Sequence, residues 1–349
     1  MKLKVPVPAK VRKMAPMNLP TASRSGKLRL DFNENTVGCA PAVLKGVRKL
    51  TAEQVAMYPE YEPTVRWMAR WYGVRTNEVT ISNGADGGLR QIVDTFVDRG
   101  SEVLLAEPTF PMYRFYSGIA DAKIRVIRYD EDMAFPMPAA LHALLRTPRM
   151  MFLANPNNPT GTLLERAEIR KMIERSPRTL FVIDEAYYEF SGVTVLPWIR
   201  RYSNLVVVRT FSKAAGLAGL RLGCVLACSE VTSLLARTFE AFAVNVAALA
   251  AAKAASLNRA AMRSYAREIN RSREFVASSL SKLGVRVFPS AGSFLLADFG
   301  PNAPRIVKRL AAKGILLRPI RFGGPGFVRI TMGTIPQMQR LLRALKAVL

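Results

Sequence analysis

Histidine is almost missing from this chain: one residue, His142, in 349. Ser-His-Asp and Cys-His nucleophile systems and histidine-rich metal sites therefore have almost no material to be built from, and no metal site is expected. His142 falls in 137–146, which reads as an amphipathic helix, and a surface or capping position is expected for it. Cysteine is scarce too. Cys39, Cys224 and Cys228 are odd in number, and their spacing matches neither a zinc pattern nor a disulfide framework, so they read as buried or half-buried free thiols. No apolar run is long enough to span a bilayer; the candidate around 244–255 is mostly alanine and is interrupted by Asn245 and Lys253. The basic, Pro-rich start lacks the apolar middle of a signal peptide, which makes cytoplasm the default location. Any catalysis must rest on Lys, Asp, Tyr or Arg.

What is present suits a globular protein. The chain is 50% apolar and 22% charged, enough for a large core and unlike a disordered chain. The formal charge is +25, spread along the sequence and not gathered in runs. Such a charge attracts anionic substrates or nucleic acid. No nucleic-acid motif accompanies it, so solvated basic helix faces are the simpler reading. A basic nucleic-acid-binding protein on an enzyme-like fold is kept as the alternative of a different class, marked by steeply salt-dependent binding.

The middle of the chain alternates strands with helices. The segments 102–106, 124–129, 150–154, 180–183 and 205–209 are near-continuously apolar or β-branched, as in strands buried on both faces. Helical patterns at 87–97 and 165–175 lie between them, giving the rhythm of a doubly wound, mostly parallel sheet. After about residue 241 the pattern changes to a long helical stretch, 241–283, and then short strands at 285–288, 294–298, 315–318 and 327–331. Between the last two, Gly323-Gly-Pro-Gly326 reads as a plain turn. The expected organisation is a basic mobile tail (1–27), a segment joining a small domain (28–45), a large α/β domain (46–245) and a small α+β domain (246–349).

Three segments sit where strands end, the place where open α/β sheets bind ligands. They are Asn155-Pro-Asn-Asn-Pro-Thr-Gly161, Ile183-Asp-Glu-Ala-Tyr187, and Arg209-Thr-Phe-Ser-Lys213 running on to Gly219-Leu-Arg221. Asp184 is a carboxylate at the tip of an apolar strand, and a buried charge is costly unless a cation pairs with it. A protonated heterocycle nitrogen would serve. Lys213 follows another apolar strand, where desolvation favours the free amine that attacks carbonyls. Ser212, Gly216, Gly219 and Arg221 supply a hydroxyl, pliable backbone and a guanidinium, a set that suits a phosphate. Singly, each residue reads better as an ion pair, a solvated lysine or a turn; their order along the chain is what points to a site.

In these motifs, and in the spacing of eight residues from Lys213 to Arg221, the chain resembles the fold-type I pyridoxal-5′-phosphate (PLP) aminotransferases. Among them it is most similar to the histidinol-phosphate aminotransferases, over residues 28–349. The resemblance implies the aspartate aminotransferase-like PLP-transferase fold and a homodimer with a shared active site. It implies that Lys213 holds PLP as a Schiff base and moves the proton, and that Asp184 pairs with the pyridinium nitrogen. Asn158 and Tyr187 would bond the phenolic oxygen, Tyr187 being counted with the catalytic residues. Phe110, where the family often has Tyr, would stack on the ring. The phosphate would lie on Ser82, Asn83, Gly84, Ala85 and Asp86, a turn after a short strand 78–81, completed by Thr210, Ser212, Arg221 and the partner subunit's Tyr58. Arg329 would bind the α-carboxylate and Arg318 a substrate phosphate, with Arg321 close enough in sequence to help and Asn158 also touching substrate. Gly87 stands where the family has Glu. Asp31-Phe-Asn-Glu-Asn35 resembles the family's Asn-Glu-Asn segment, but Thr36 replaces the Pro that follows it. The implied reaction is transfer of the amino group of L-histidinol phosphate to 2-oxoglutarate, giving imidazole acetol phosphate and L-glutamate in histidine biosynthesis. An aminotransferase for aromatic or other amino acids, or a PLP decarboxylase of a phosphorylated amino acid, shares the same motifs.

Overall fold

A computed structural model describes residues 5–14, 16, 23–256, 259–322, 324 and 326–349. Its strands are β1 (Leu28–Leu30), β2 (Val79–Asn83), β3 (Glu102–Glu107), β4 (Lys123–Arg128), β5 (Met150–Ala154), β6 (Leu180–Asp184), β7 (Leu205–Thr210), β8 (Leu222–Ala227), β9 (Arg286–Val287), β10 (Phe294–Asp298), β11 (Ile315–Pro319) and β12 (Phe327–Thr331). Seven form one sheet in the order β2-β8-β7-β6-β5-β3-β4, and five form another in the order β1-β11-β12-β10-β9.

In the large sheet β4, β3, β5, β6 and β7 run parallel, and β8 runs antiparallel to both β7 and β2. Every residue of β5, β6, β7 and β8 is buried, which is why these strands read as unbroken apolar runs. Side chains nevertheless alternate between two cores. Met150, Phe152, Val182, Val206, Val208 and Val225 pack on one face with residues of the helices Gly84–Phe96 and Pro111–Ile119. Met151, Leu153, Phe181, Ile183, Val207 and Leu226 pack on the other, in a cluster that continues into the small sheet. Burying each such side chain contributes about 1.5–3 kcal/mol relative to exposure.

Several expectations need correction. β8, with its own apolar run, has no counterpart in the sequence reading, which assigned no element to 222–227. The short strand runs on to Asn83, so Ser82 and Asn83 belong to β2 and the helix opens at Gly84 instead of Gly87. Within the long stretch at 241–283 the described helices are Val246–Ser256 and Arg259–Lys282, and residues 257 and 258 lie outside the described residues. The first starts late because Asn245 caps it, its Oδ1 accepting from the Ala248 N–H at 2.8 Å. The expected tail carries local structure. A short helix, Ala9–Lys13, has Lys10 Nζ bonded to the Ile119 carbonyl at 2.5 Å, and Arg24 is tied down by two carboxylates described below. The rest of that tail call (1–4, 15 and 17–22), and Gly323 and Pro325 of the expected turn, lie outside the described residues. His142 is exposed and the three cysteines are free, two of them buried.

Candidate active site

The chain leaves β3 toward β4 on one side and returns as β5 on the other, so the loops after β3 and β5 part at the carboxyl edge of the sheet. A crevice opens at such a reversal. Its two lips are tied together: Thr109 Oγ1 donates to Asn157 Oδ1 at 2.7 Å, and Asn157 Nδ2 donates to the Pro108 carbonyl at 2.9 Å.

Asp184 ends β6 on the face of Val182, because alternate residues of a strand share a face. That face is covered by the helix carrying Tyr113, whose hydroxyl donates to Asp184 Oδ2 at 2.8 Å. The Ala186 N–H donates to Oδ1 at 3.0 Å. Burial pushes the Asp184 carboxyl up to about 6, against the downward pull of the Tyr113 and Ala186 bonds and of the Lys213 charge. The neighbouring Glu185 faces the other way and forms a buried ion pair with Arg209 of β7, Oε2 to Nη2 at 2.6 Å. That pair braces the ends of the two strands from which Asp184 and Lys213 emerge.

Lys213 Nζ donates to the Phe32 carbonyl at 3.2 Å and lies 5.7 Å from the Tyr187 ring centroid. The Tyr187 oxygen accepts from Asn33 Nδ2 at 2.8 Å, which leaves its own proton to donate elsewhere. Asn33 adopts a left-handed φ of 54° and is locked by Thr331, whose hydroxyl donates to Asn33 Oδ1 at 2.9 Å. Asn158 Oδ1 accepts from Arg329 Nη1 at 2.5 Å, so its amide nitrogen is the end left to donate. Arg329 Nη2 donates to the Asp31 carbonyl at 2.6 Å, while its buried Nε has no partner. Burial, with Arg318 nearby, depresses the Arg329 guanidinium to about 10, against the opposing pull of Tyr187. A buried donor without an acceptor is costly, and an incoming carboxylate would relieve it.

An anion cradle faces these groups. Pairing of β2 with β8 sets Ser82 opposite Gly223 and Asn83 opposite Leu222, which brings Arg221 beside Gly84. The Gly84 N–H donates to the Arg221 carbonyl at 3.0 Å. Gly84 has φ +67°, and a Cβ there would stand 2.6 Å from Arg221 Nη2. The first turn of the helix adds amides that have no intrahelical partner. Ser82 Oγ bonds the Gly84 carbonyl at 2.8 Å, and Thr210 Oγ1 bonds Ser212 Oγ at 3.0 Å. Asp86 pairs with Arg221 at 2.7 Å, so the side chain of Asp86 is committed and only its backbone can serve an anion. Ala85 likewise offers backbone alone.

The remaining expected residues lie around this centre. Phe110 is half-buried at the start of its helix, edge-on to Tyr113 at 5.6 Å. Arg318 is exposed, directly across the β11–β12 pair from Arg329, and its guanidinium sits 5.3 Å from the Phe32 ring centroid. Arg321 is exposed. Tyr58 is set apart: it is 74% exposed and stacks on Phe242 at 4.3 Å. Three residues escaped the sequence reading. Tyr113 carried the signal of a tyrosine one helical turn past Phe110, Asn33 lay within a quoted motif, and Arg24 gave no signal at all.

A family model described as aminotransferase class I and II matches residues 25–345. A histidinol-phosphate aminotransferase of Geobacillus sp. (strain WCH70) is 35% identical over 330 residues, covering 92% of this chain and 90% of its own. The crystal structure of histidinol-phosphate aminotransferase from Sinorhizobium meliloti in complex with pyridoxal-5′-phosphate superposes with a TM-score of 0.85 at 28% identity, covering 92% of this chain and 90% of that one. The L-threonine-O-3-phosphate decarboxylase from Porphyromonas gingivalis superposes with a TM-score of 0.82 at 28% identity, covering 92% of this chain and 98% of that one.

Proposed function

Starting from the fact that this chain belongs to the class I and II aminotransferases, we propose that its amino donor carries a phosphate arm, with L-histidinol phosphate and 2-oxoglutarate as the substrate pair. The protein is a PLP-dependent aminotransferase of the aspartate aminotransferase-like α/β fold. The chemistry of the donor set fits the cofactor. An amine stands at Lys213 and a buried carboxylate at Asp184. Asn158 and Tyr187 have their acceptor sides occupied, and the cradle at Gly84 is one that a Cβ would fill.

Bound there, PLP supplies an aldehyde conjugated to an electron-withdrawing ring, the means of taking an amino group from one substrate and giving it to another. Lys213 is the residue that holds the cofactor and carries a proton to and from the substrate Cα. Asp184 keeps a proton on the ring nitrogen, and Tyr113 and Ala186 orient its carboxylate. Asn158 and Tyr187 donate to the phenolic oxygen, and Phe110 covers a ring face. The residues at 82–86 with Thr210, Ser212 and Arg221 hold the phosphate. Arg329 takes a carboxylate and turns the substrate so that its Cα–H faces Lys213.

The substrate reading rests on one observation: Arg318 stands directly opposite Arg329 across an antiparallel pair. Opposed residues share a face of the sheet, so both guanidiniums can address one anionic arm, the phosphate of L-histidinol phosphate in one half-reaction and a carboxylate of 2-oxoglutarate or glutamate in the other. The same pair would serve a decarboxylase of a phosphorylated amino acid. A half-reaction screen separates the readings. L-histidinol phosphate should convert the cofactor to its amine form, 2-oxoglutarate should reverse the change, and L-threonine-O-3-phosphate, which does carry a carboxylate, should release no carbon dioxide. Conversion by aromatic amino acids alone would defeat the phosphate reading. Borohydride should fix the cofactor to wild-type enzyme and not to Lys213→Ala; equal labelling would defeat the lysine assignment.

The finer organisation belongs to the same proposal: a small domain of residues 28–45 and 246–349 against a large one of 46–245, in a cytoplasmic homodimer. Tyr58, Met57, Val55 and Phe242 are each more than half exposed, an apolar surface suited to a second copy, and Tyr58 is read as serving the partner's phosphate site.

A further inference from the structure

Three cations await anionic or electrophilic groups in the crevice: Lys213, Arg318 and Arg329. The strand-to-loop segment that crosses their mouth carries two carboxylates of its own, Asp31 and Glu34. A carboxylate tethered so near a guanidinium competes with substrate at an effective concentration of about mM or more. Neither acid does so here, because both are held by Arg24. Arg24 Nε and Nη2 donate to the Asp31 oxygens at 3.1 and 2.6 Å, and Nη1 and Nη2 donate to the Glu34 oxygens at 3.1 and 2.6 Å. The guanidinium lies 4.3 Å from the Phe32 ring centroid, and Arg318 approaches that same ring at 5.3 Å. Phe32 in turn gives its carbonyl to Lys213. Partial burial pushes the Glu34 carboxyl up, but the Arg24 hydrogen bond and the charges of Arg24, Arg29 and Lys213 together bring it below its ordinary value, and the last of these places Glu34 within electrostatic reach of the amine.

We propose that Arg24 is a positioning residue for substrate specificity: it sequesters Asp31 and Glu34, and so keeps Arg318 open to the anionic arm of a phosphate monoester or carboxylate substrate. The inference rests on the reading of Arg318 given above. Arg24 touches neither substrate nor cofactor in this scheme. Its loss frees two acids to occupy the cations that substrate needs.

The test uses the PLP-loaded enzyme, in which the cofactor's own phosphate site is filled, with inorganic phosphate as the probe in calorimetric titration. Arg24→Ala should weaken phosphate binding about ten-fold and raise KM for the amino donor by a similar factor, with kcat within about two-fold. Adding Asp31→Asn and Glu34→Gln to Arg24→Ala should restore both to within about three-fold of wild type, and Arg24→Lys should fall between. A merely structural Arg24 predicts no recovery in the triple variant, and that result overturns the proposal, as does unchanged phosphate affinity in Arg24→Ala when Arg318→Ala has lost it. Normal phosphate binding by Arg318→Ala, with loss and recovery still seen in the Arg24 series, would instead fault the reading of Arg318 and uphold the sequestering role toward Arg329.

Discussion

The Tyr113 hydroxyl reaches across the crevice to donate to Asp184 Oδ2 at 2.8 Å, from a ring stacked on Phe152 at 4.8 Å and 5°. Both residues are buried, where a hydrogen bond to a charge is poorly screened and worth about 1.5–3 kcal/mol. Tyr113→Phe keeps the stacked ring and removes only that bond. The Asp184 carboxyl should then rise further above about 6. The acid limb of the kcat/KM profile should move up by roughly one pH unit, with a loss of about 3- to 10-fold near neutrality. A profile that overlays the wild type would remove Tyr113 from the machinery.

Without cofactor, Asp184 should make stability depend on pH in a particular direction. Its pKa is about 6 in the folded chain, raised chiefly by burial from an ordinary 3.8. The unfolded chain therefore binds fewer protons between those values, and stability falls as pH rises through that window. Asp184→Asn has no such dependence. Apo Asp184→Asn should be more stable than apo wild type by about 1–3 kcal/mol above pH 6, the difference vanishing near pH 4. In the loaded enzyme the same substitution should cut turnover far more than PLP affinity. Thermal melts of the two apo proteins across the window decide the first point; parallel curves would mean that Asp184 is not desolvated as described.

Gly84→Ala should act on the cofactor and spare the fold. The new methyl group would lie 2.6 Å from Arg221 Nη2 at a φ of +67°. The strained backbone costs about 1 kcal/mol and the guanidinium must move off the cradle. The dissociation constant for PLP, read by fluorescence quenching, should rise by about 10-fold or more. Unchanged affinity would place the phosphate elsewhere.

Arg318→Ala should separate substrates. Loss of one charge-assisted contact costs about 1.5–3 kcal/mol, or about 10- to 100-fold in kcat/KM. That loss should fall on L-histidinol phosphate and largely spare phenylalanine as amino donor. Equal losses on both donors would favour the aromatic reading. Arg329→Lys, which gives up the planar fork and the unpartnered Nε, should harm every donor that carries an α-carboxylate.

Much of the site was legible because its signals are local. Asp184 and Lys213 stand out as charged residues closing apolar strands, and Gly84 as a glycine where a strand meets a helix. β8 was not legible, since nothing local says that an apolar run after a Gly-rich loop turns back antiparallel into the same sheet. Nor was Arg24. Its partners lie seven and ten residues on, on the far side of a strand, so no single helix or strand relates them.

By itself the sequence determined which residues want to be buried, where elements start and stop, and which chemical groups stand at the strand ends, because propensity, turn chemistry and desolvation act over a few residues. Only the tertiary structure decided what those groups face. Strand parity turns Asp184 toward Tyr113 and Glu185 away from it, and folding brings Asn33 to Thr331 across 298 residues of chain. Such pairings depend on the closing of long loops around two shared cores, an outcome of global packing that leaves no periodic trace along the chain.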